Sequence, residues 1–167
     1  MIILQNLAGA FLKNNGKYLL MKRSDNRKFI PGVWSCVGGK MEPNEINNPV
    51  ETCYREIEEE SGIMRGNINS LELLYIIMRR SGDVIRQSYV FFGKTNQSEV
   101  INTEEGDWFW IPESELLNRE YSVTYAAMIE HYTKRKCGDR AVYIGVAEND
   151  NGKLHMNWSK CEDFELQ

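Results

Sequence analysis

The run Pro49–Ser61, PVETCYREIEEES, places a narrow apolar stripe beside a dense block of glutamates. At roughly 100° per residue, Val50, Cys53, Tyr54, Ile57 and Ser61 fall on one side, centred on Ile57. That periodicity predicts an amphipathic helix whose Ile57 side is buried. Its ends are marked as well. Asn48 suits the N-cap, Pro49 suits the first helical position and Glu51 stands three residues after the cap. Gly62 suits the left-handed residue that closes a helix. On this wheel Glu56, Glu59 and Glu60 share one flank, at the i, i+3, i+4 spacing that brings side chains together. Glu58 and Glu51 take the other flank, and Thr52 and Arg55 the outer face.

Three carboxylates on adjacent turns repel one another unless something offsets their charge. A hard divalent cation is one answer, because Mg²⁺ prefers oxygen ligands and is commonly held by a few carboxylates together with substrate phosphates. A solvated acidic face is the other. Arg55, four residues before Glu59, is placed to hold that side chain by an i, i+4 pair. A Gly38-Gly39-Lys40 loop precedes the helix, where glycine lets backbone approach closely.

Gly39, then Glu45 six positions on, then Arg55-Glu56-Ile57-x-Glu59-Glu60-x-Gly62-Ile63 resembles the Nudix hydrolase box. Nine residues rather than seven separate Glu45 from Arg55. The two additional residues fall in the polar Ile46-Asn47-Asn48 segment, before the helix, so the carboxylate spacing is intact while the position of Glu45 stays open. The flanks are similar to the family too. Leu19-Leu20-Met21-Lys22-Arg23 resembles its "LLxxR" strand, Pro31-Gly32-Val33-Trp34 its "PGxW" turn, and Glu105-Gly106 with Trp110-Ile111-Pro112 its downstream segment. The resemblance covers about residues 3–135.

This resemblance implies an α/β/α sandwich with a mixed sheet, and hydrolysis of a diphosphate linkage in a nucleoside di- or triphosphate derivative, by default a MutT-like pyrophosphohydrolase. It implies Mg²⁺, or Mn²⁺, held by Glu56, Glu59, Glu60 and the Gly39 carbonyl. Glu56, Glu59, Arg55 and Glu105 are then the catalytic candidates, with Glu104 the alternative to Glu105. Arg23 and Lys40 are candidate phosphate contacts. Trp34, Phe29, Tyr75, Tyr89, Phe91 and Trp108 are candidates to stack on a base, with core packing the competing reading for each. The proline mark of ADP-ribose hydrolases is absent around Arg79-Arg80-Ser81, and no coenzyme A signature is apparent. A hydrolase of another nucleoside diphosphate derivative is the alternative substrate reading. A binding module or an isopentenyl diphosphate isomerase-like enzyme fits the box less well.

Composition narrows the partners. A net charge of −4 argues against a nucleic-acid polymer, which would want a basic face, and leaves a small nucleotide-type ligand. No apolar run approaches the roughly 20 residues of a membrane span, and no signal peptide is evident. The cysteines, Cys36, Cys53, Cys137 and Cys161, lack metal-ligand spacing. Together these lead us to expect a cytoplasmic monomer or homodimer made of one domain over 1–167. Strands are expected over 6–13, 17–22, 34–37, 71–79, 85–93 and 107–111, a short helix over 113–117 and a longer one over 123–135. Two further runs, 141–148 and 153–158, flank Asn149-Asp150-Asn151-Gly152 and predict a β-hairpin. It forms a C-terminal extension, about 138–167, placed to cover a substrate or to help form a dimer. His131 and His155 stand apart from the box and read as structural.

Overall fold

The computed structural model describes residues 1–24 and 31–163. Phe29 therefore lies outside the described residues. The first two strands, β1 (Ile3–Asn14) and β2 (Lys17–Arg23), meet at a two-residue turn. Asn15 (φ 48°) and Gly16 (φ 77°) both take the positive φ that a type I′ turn requires. Two short strands follow, β3 (Trp34–Ser35) and β4 (Val37–Lys40), and then helix α1 (Pro49–Ser61). A long antiparallel pair comes next, β5 (Ile68–Ser81) and β6 (Val84–Thr95), then β7 (Gly106–Pro112), helix α2 (Val123–Thr133) and the hairpin β8 (Val142–Asp150) and β9 (Lys153–Cys161).

All these strands join one mixed sheet, ordered β3-β2-β1-β6-β5-β8-β9, with β4 paired to β1 and β7 to β2. The central β1 runs parallel to β6 along most of its length and antiparallel to β4 through Leu7–Ala10. Alternation along β1 decides which helix it meets. Ala8, Ala10 and Leu12 pack with Cys53 and Ile57 of α1, whereas Phe11 packs with Met128 and Ile129 of α2. Both faces of the sheet are thus covered, which gives the α/β/α sandwich.

Helix α1 has the bounds that its sequence signals predict, and Gly62 closes it at φ 71°, its N–H donating to the Glu58 carbonyl. Its outer details differ from expectation. The Asn48 side chain makes no capping hydrogen bond. Glu51 does not complete a capping box but pairs with Arg65, whose guanidinium lies 4.0 Å from the centroid of the Tyr54 ring. Thr52 is fully buried rather than outward, and Arg55 folds back over the preceding loop. The reason for both is Glu45, a partner that a helical wheel does not contain.

The C-terminal hairpin forms where expected. Its β8 lies parallel beside β5 and extends the sheet. Trp158 reaches back over the face covered by α2, with its ring 5.3 Å from Tyr75 and 4.9 Å from His131. His131 Nδ1 is 2.9 Å from the Tyr75 hydroxyl, and burial lowers the proton affinity of the imidazole. This is the structural role expected for a histidine outside the box. Arg135, ion-paired to Asp139, sits above the rings of Tyr75 and Tyr143 and fastens the hairpin further. The 113–117 segment forms a 3₁₀ turn, Glu113–Asn118, instead of an α-helix.

Gly145 on β8 faces Trp158 across the hairpin, and a Cβ there would stand 2.3 Å from the indole ring. The ring is held against Tyr75 and His131. Gly145→Ala is expected to cost about 2 kcal/mol by overpacking. Chemical denaturation followed by tryptophan fluorescence measures this, and unchanged stability would mean the hairpin is not packed as described.

Candidate active site

The site is organised by Arg55. Its Nε and Nη2 donate to the two oxygens of Glu45 at 2.9 and 3.0 Å. Nη1 donates to Glu56 at 2.8 Å and to Glu59 at 3.2 Å, and Nη2 also donates to the Lys40 carbonyl at 3.1 Å. Glu45 is buried, and its Oε2 accepts further hydrogen bonds from the Glu42 N–H and the Thr52 hydroxyl. The two-residue insertion is absorbed in the turn after Glu45, where the Asn48 N–H donates to the Glu45 carbonyl. Glu45 thus ties the loop to the helix. Its hydrogen bonds from Arg55 hold its carboxyl down at about 2.

Glu56 and Glu60 project from α1 toward the Gly38-Gly39 segment of β4. The Gly38 N–H donates to Glu60 at 3.3 Å. Gly39 leaves space for Glu56: a Cβ on Gly39 would fall 2.2 Å from the Glu56 carboxylate oxygen. Gly38 is equally confined, because its Cβ would meet the Ala8 carbonyl of β1 at 2.4 Å. From the end of β7, the Trp108 indole N–H donates to the Glu60 carbonyl and locks the last turn of α1. Burial raises the proton affinity of Glu56 above the usual carboxylate range. Glu60 is raised more, first by burial, then by the charge of Glu56, with Glu105 adding to the effect and lying within hydrogen-bonding reach. Glu59 is mostly exposed, its side chain 60% accessible. Glu105 is half-buried and turned inward, whereas Glu104 is exposed.

Among the described residues no three acidic side chains are drawn into a preformed cation cage. The donor chemistry nevertheless fits a hard divalent ion. Two crowded carboxylates, Glu56 and Glu60, share a half-buried corner with Glu105 and the backbone of Gly38-Gly39, and Glu56 pairs with Arg55.

This corner opens on a cleft of about 470 Å³. Gly39, Lys40, Arg23, Trp34 and Glu105 all line it, which brings five separated sequence candidates to one place. Arg23 carries a buried Nε with no hydrogen-bond partner among the described residues. Trp34 stands edge-on to Phe109 at 5.4 Å, beneath the Arg119 guanidinium. The other aromatic candidates belong to the core: Tyr75, Phe91 and Trp108 are buried, and Tyr89 packs on the α1 side. Tyr125 on α2, the Cys36 thiol beside it and the arginines Arg79 and Arg86 also line the cleft. No motif announces these four; they arrive through strand register and the placement of α2. No residue of the C-terminal hairpin lines the cleft, contrary to a covering role there.

Comparison with known proteins agrees with this architecture. The NUDIX domain family model matches residues 4–132. The chain is 31% identical over 127 residues to nucleoside triphosphatase NudI of Escherichia coli, covering 67% of this chain and 84% of that one. Among solved structures it resembles a MutT protein from Bacillus halodurans, with a TM-score of 0.73 at 20% identity, covering 92% of this chain and 97% of that one. It also resembles the NUDIX domain of Shewanella oneidensis NrtR complexed with ADP ribose, with a TM-score of 0.61 at 18% identity, covering 81% and 88%. The chain belongs to the Nudix family and is a hydrolase of phosphorus-containing anhydrides. Nudix hydrolases generally use divalent metal ions and act on small nucleotide substrates.

Two consequences are testable here. The folded Glu45 carboxyl lies at about 2 against an ordinary 4.5, so its stabilising effect is complete above 4.5 and is lost as pH falls toward 2. Glu45→Gln is expected to lower the unfolding free energy by about 2 kcal/mol at pH 7, the scale of a hydrogen bond to a charged group. The gap from wild type should narrow below pH 4.5 in denaturation curves taken across that range. Gly39→Ala is expected to displace the Glu56 carboxylate and reduce turnover about a hundredfold while far-UV circular dichroism stays unchanged. Full activity in that variant would detach the glycine from the site.

Proposed function

We propose that this chain is a Mg²⁺-dependent hydrolase that cleaves a phosphoanhydride of a nucleoside triphosphate, in the manner of MutT-like pyrophosphohydrolases, with Mn²⁺ as a substitute ion. The observation that carries this reading is the corner where Glu56, Glu60 and Glu105 meet the Gly38-Gly39 backbone, at one end of a cleft lined by Arg23 and Lys40. The relative NudI, a nucleoside triphosphatase, supports the substrate class.

In this reading Glu56, Glu60 and the Gly39 carbonyl hold the cation, with Glu59 on the solvent side. The ion would neutralise phosphate oxygens and acidify a water. Arg55 keeps Glu56 and Glu59 oriented toward the loop. Glu105, beside Glu60, receives the proton of the attacking water as general base. Arg23, whose buried Nε has no partner among the described residues, meets a phosphate oxygen, and the Lys40 ammonium adds charge at the cleft mouth. Trp34 forms part of the wall along which the nucleoside lies.

The test is release of phosphate or pyrophosphate from a nucleotide panel with Mg²⁺ and with EDTA. Glu60→Gln and Glu56→Gln are each expected to lower kcat by about 10²–10⁴, with unfolding curves that show an intact fold. Glu58→Gln, on the exposed flank, is expected to be neutral. Wild-type turnover in both inner-flank variants would remove the assignment of this corner.

A further inference from the structure

The cleft has a second end that the box does not explain. In the sheet register Gln5 of β1 stands beside Arg86 of β6, and Arg86 beside Arg79 of β5. Side chains in register share a face, so Gln5, Arg86 and Arg79 form one polar row. The next row, Leu7, Ser88 and Ile77, forms the cleft floor between them and the glycine corner. Gly38 pairs with Gly9, four residues along β1 from Gln5, which sets the arginine row about 13 Å along the strand from the glycine corner at about 3.3 Å per residue.

Two arginines directly opposite across a ladder repel each other and weaken the sheet. Five other arginines, Arg55, Arg65, Arg119, Arg135 and Arg140, each contact a carboxylate. Among the described residues Arg79 and Arg86 contact none. The one hydrogen bond of the pair runs from Arg86 Nε to Gln5 Oε1 at 2.8 Å. It fixes the guanidinium plane and leaves the Nη donors of this cleft-lining residue without a hydrogen bond among the described residues, free to meet two oxygens of one anion.

We propose that Arg79 and Arg86, oriented by Gln5, bind a second phosphate of the substrate, a phosphomonoester remote from the anhydride that is cleaved. This deepens the proposed nucleotide reading and rests on it. The favoured substrate carries phosphate at both ends of the nucleoside, one end at the carboxylate corner and the other at the arginine row.

The test compares a nucleoside 5′-triphosphate with its 3′-phosphorylated counterpart. Wild type is expected to favour the 3′-phosphorylated nucleotide in kcat/KM by about tenfold or more, chiefly through KM. Arg86→Gln and Arg79→Gln are expected to bring that ratio close to one, and Arg86→Lys to keep part of it. Arg80→Gln, on the opposite face, is expected to leave it intact. A ratio near one in wild type, or one that the arginine variants do not change, overturns the proposal. So does a changed base preference with no change in ratio, which would make the arginines readers of a base edge. Calorimetric titration with adenosine 3′,5′-bisphosphate against adenosine 5′-monophosphate reads the same contact without turnover. Failure of every nucleotide to turn over would remove the hydrolase reading, while tighter bisphosphate binding that depends on Arg86 would still stand or fall by itself.

Discussion

Arg55 is the contact on which the rest of the site depends. One guanidinium, only about a quarter exposed, donates to Glu45, Glu56, Glu59 and the Lys40 carbonyl. Without it, the charges of Glu45 and Glu56 would face each other in a corner with little water to screen them, with Glu59 on its solvent side. With it, Glu45 is held ionised and the loop carrying Gly38-Gly39 is drawn against α1. Multiple hydrogen bonds and opposite charges are what make a partly buried carboxylate tolerable. The clamp also explains how the chain accommodates two additional residues before the helix. They form a turn after Glu45 and leave the arginine fork undisturbed.

Much of this fold is legible in the sequence because its signals are local. Gly62 ends α1, Asn15-Gly16 turns the first hairpin and Asn151-Gly152 the last, each through a positive φ. The Ile57 stripe follows from helical period alone, and so does the flank of Glu56, Glu59 and Glu60, although the period does not separate the inward Glu56 and Glu60 from the solvent-side Glu59. The misplacements have one cause. A helical wheel assigns Thr52 and Arg55 to solvent because it knows nothing of Glu45 arriving from a loop. The hairpin likewise reads as an appendage, since nothing in its sequence says that β8 will lie beside β5, more than sixty residues away.

The cleft is the least legible part, for the same physical reason. Arg79 and Arg86 look like unremarkable strand charges until the β5–β6 register sets them opposite each other, and Gln5 joins them only through the β1–β6 pairing across 81 residues of chain. Tyr125 reaches the cleft because α2 crosses the Phe11 and Phe92 side of the sheet. Several aromatics that look suited to stacking on a base are committed to the core by strand alternation instead. Of those candidates that the structure describes, Trp34 borders the cleft, because β3 lies at the sheet edge, between β2 and the Glu120-Tyr121 segment that leads into α2.

The two ends of the cleft carry opposite charge, and this constrains how any ligand can lie in it. The carboxylate corner repels phosphate unless a cation intervenes; the arginine row attracts it without one. A nucleotide with phosphate at one end only would be drawn first toward the arginines, in the unproductive orientation, until a divalent ion reverses the sign at the glycine corner. In the proposed reading, a cation held by Glu56 and Glu60 would do more than activate water. It would also set which way round the substrate binds, and a second phosphate would turn that competition into a fixed orientation, because each end of the molecule would have its own partner.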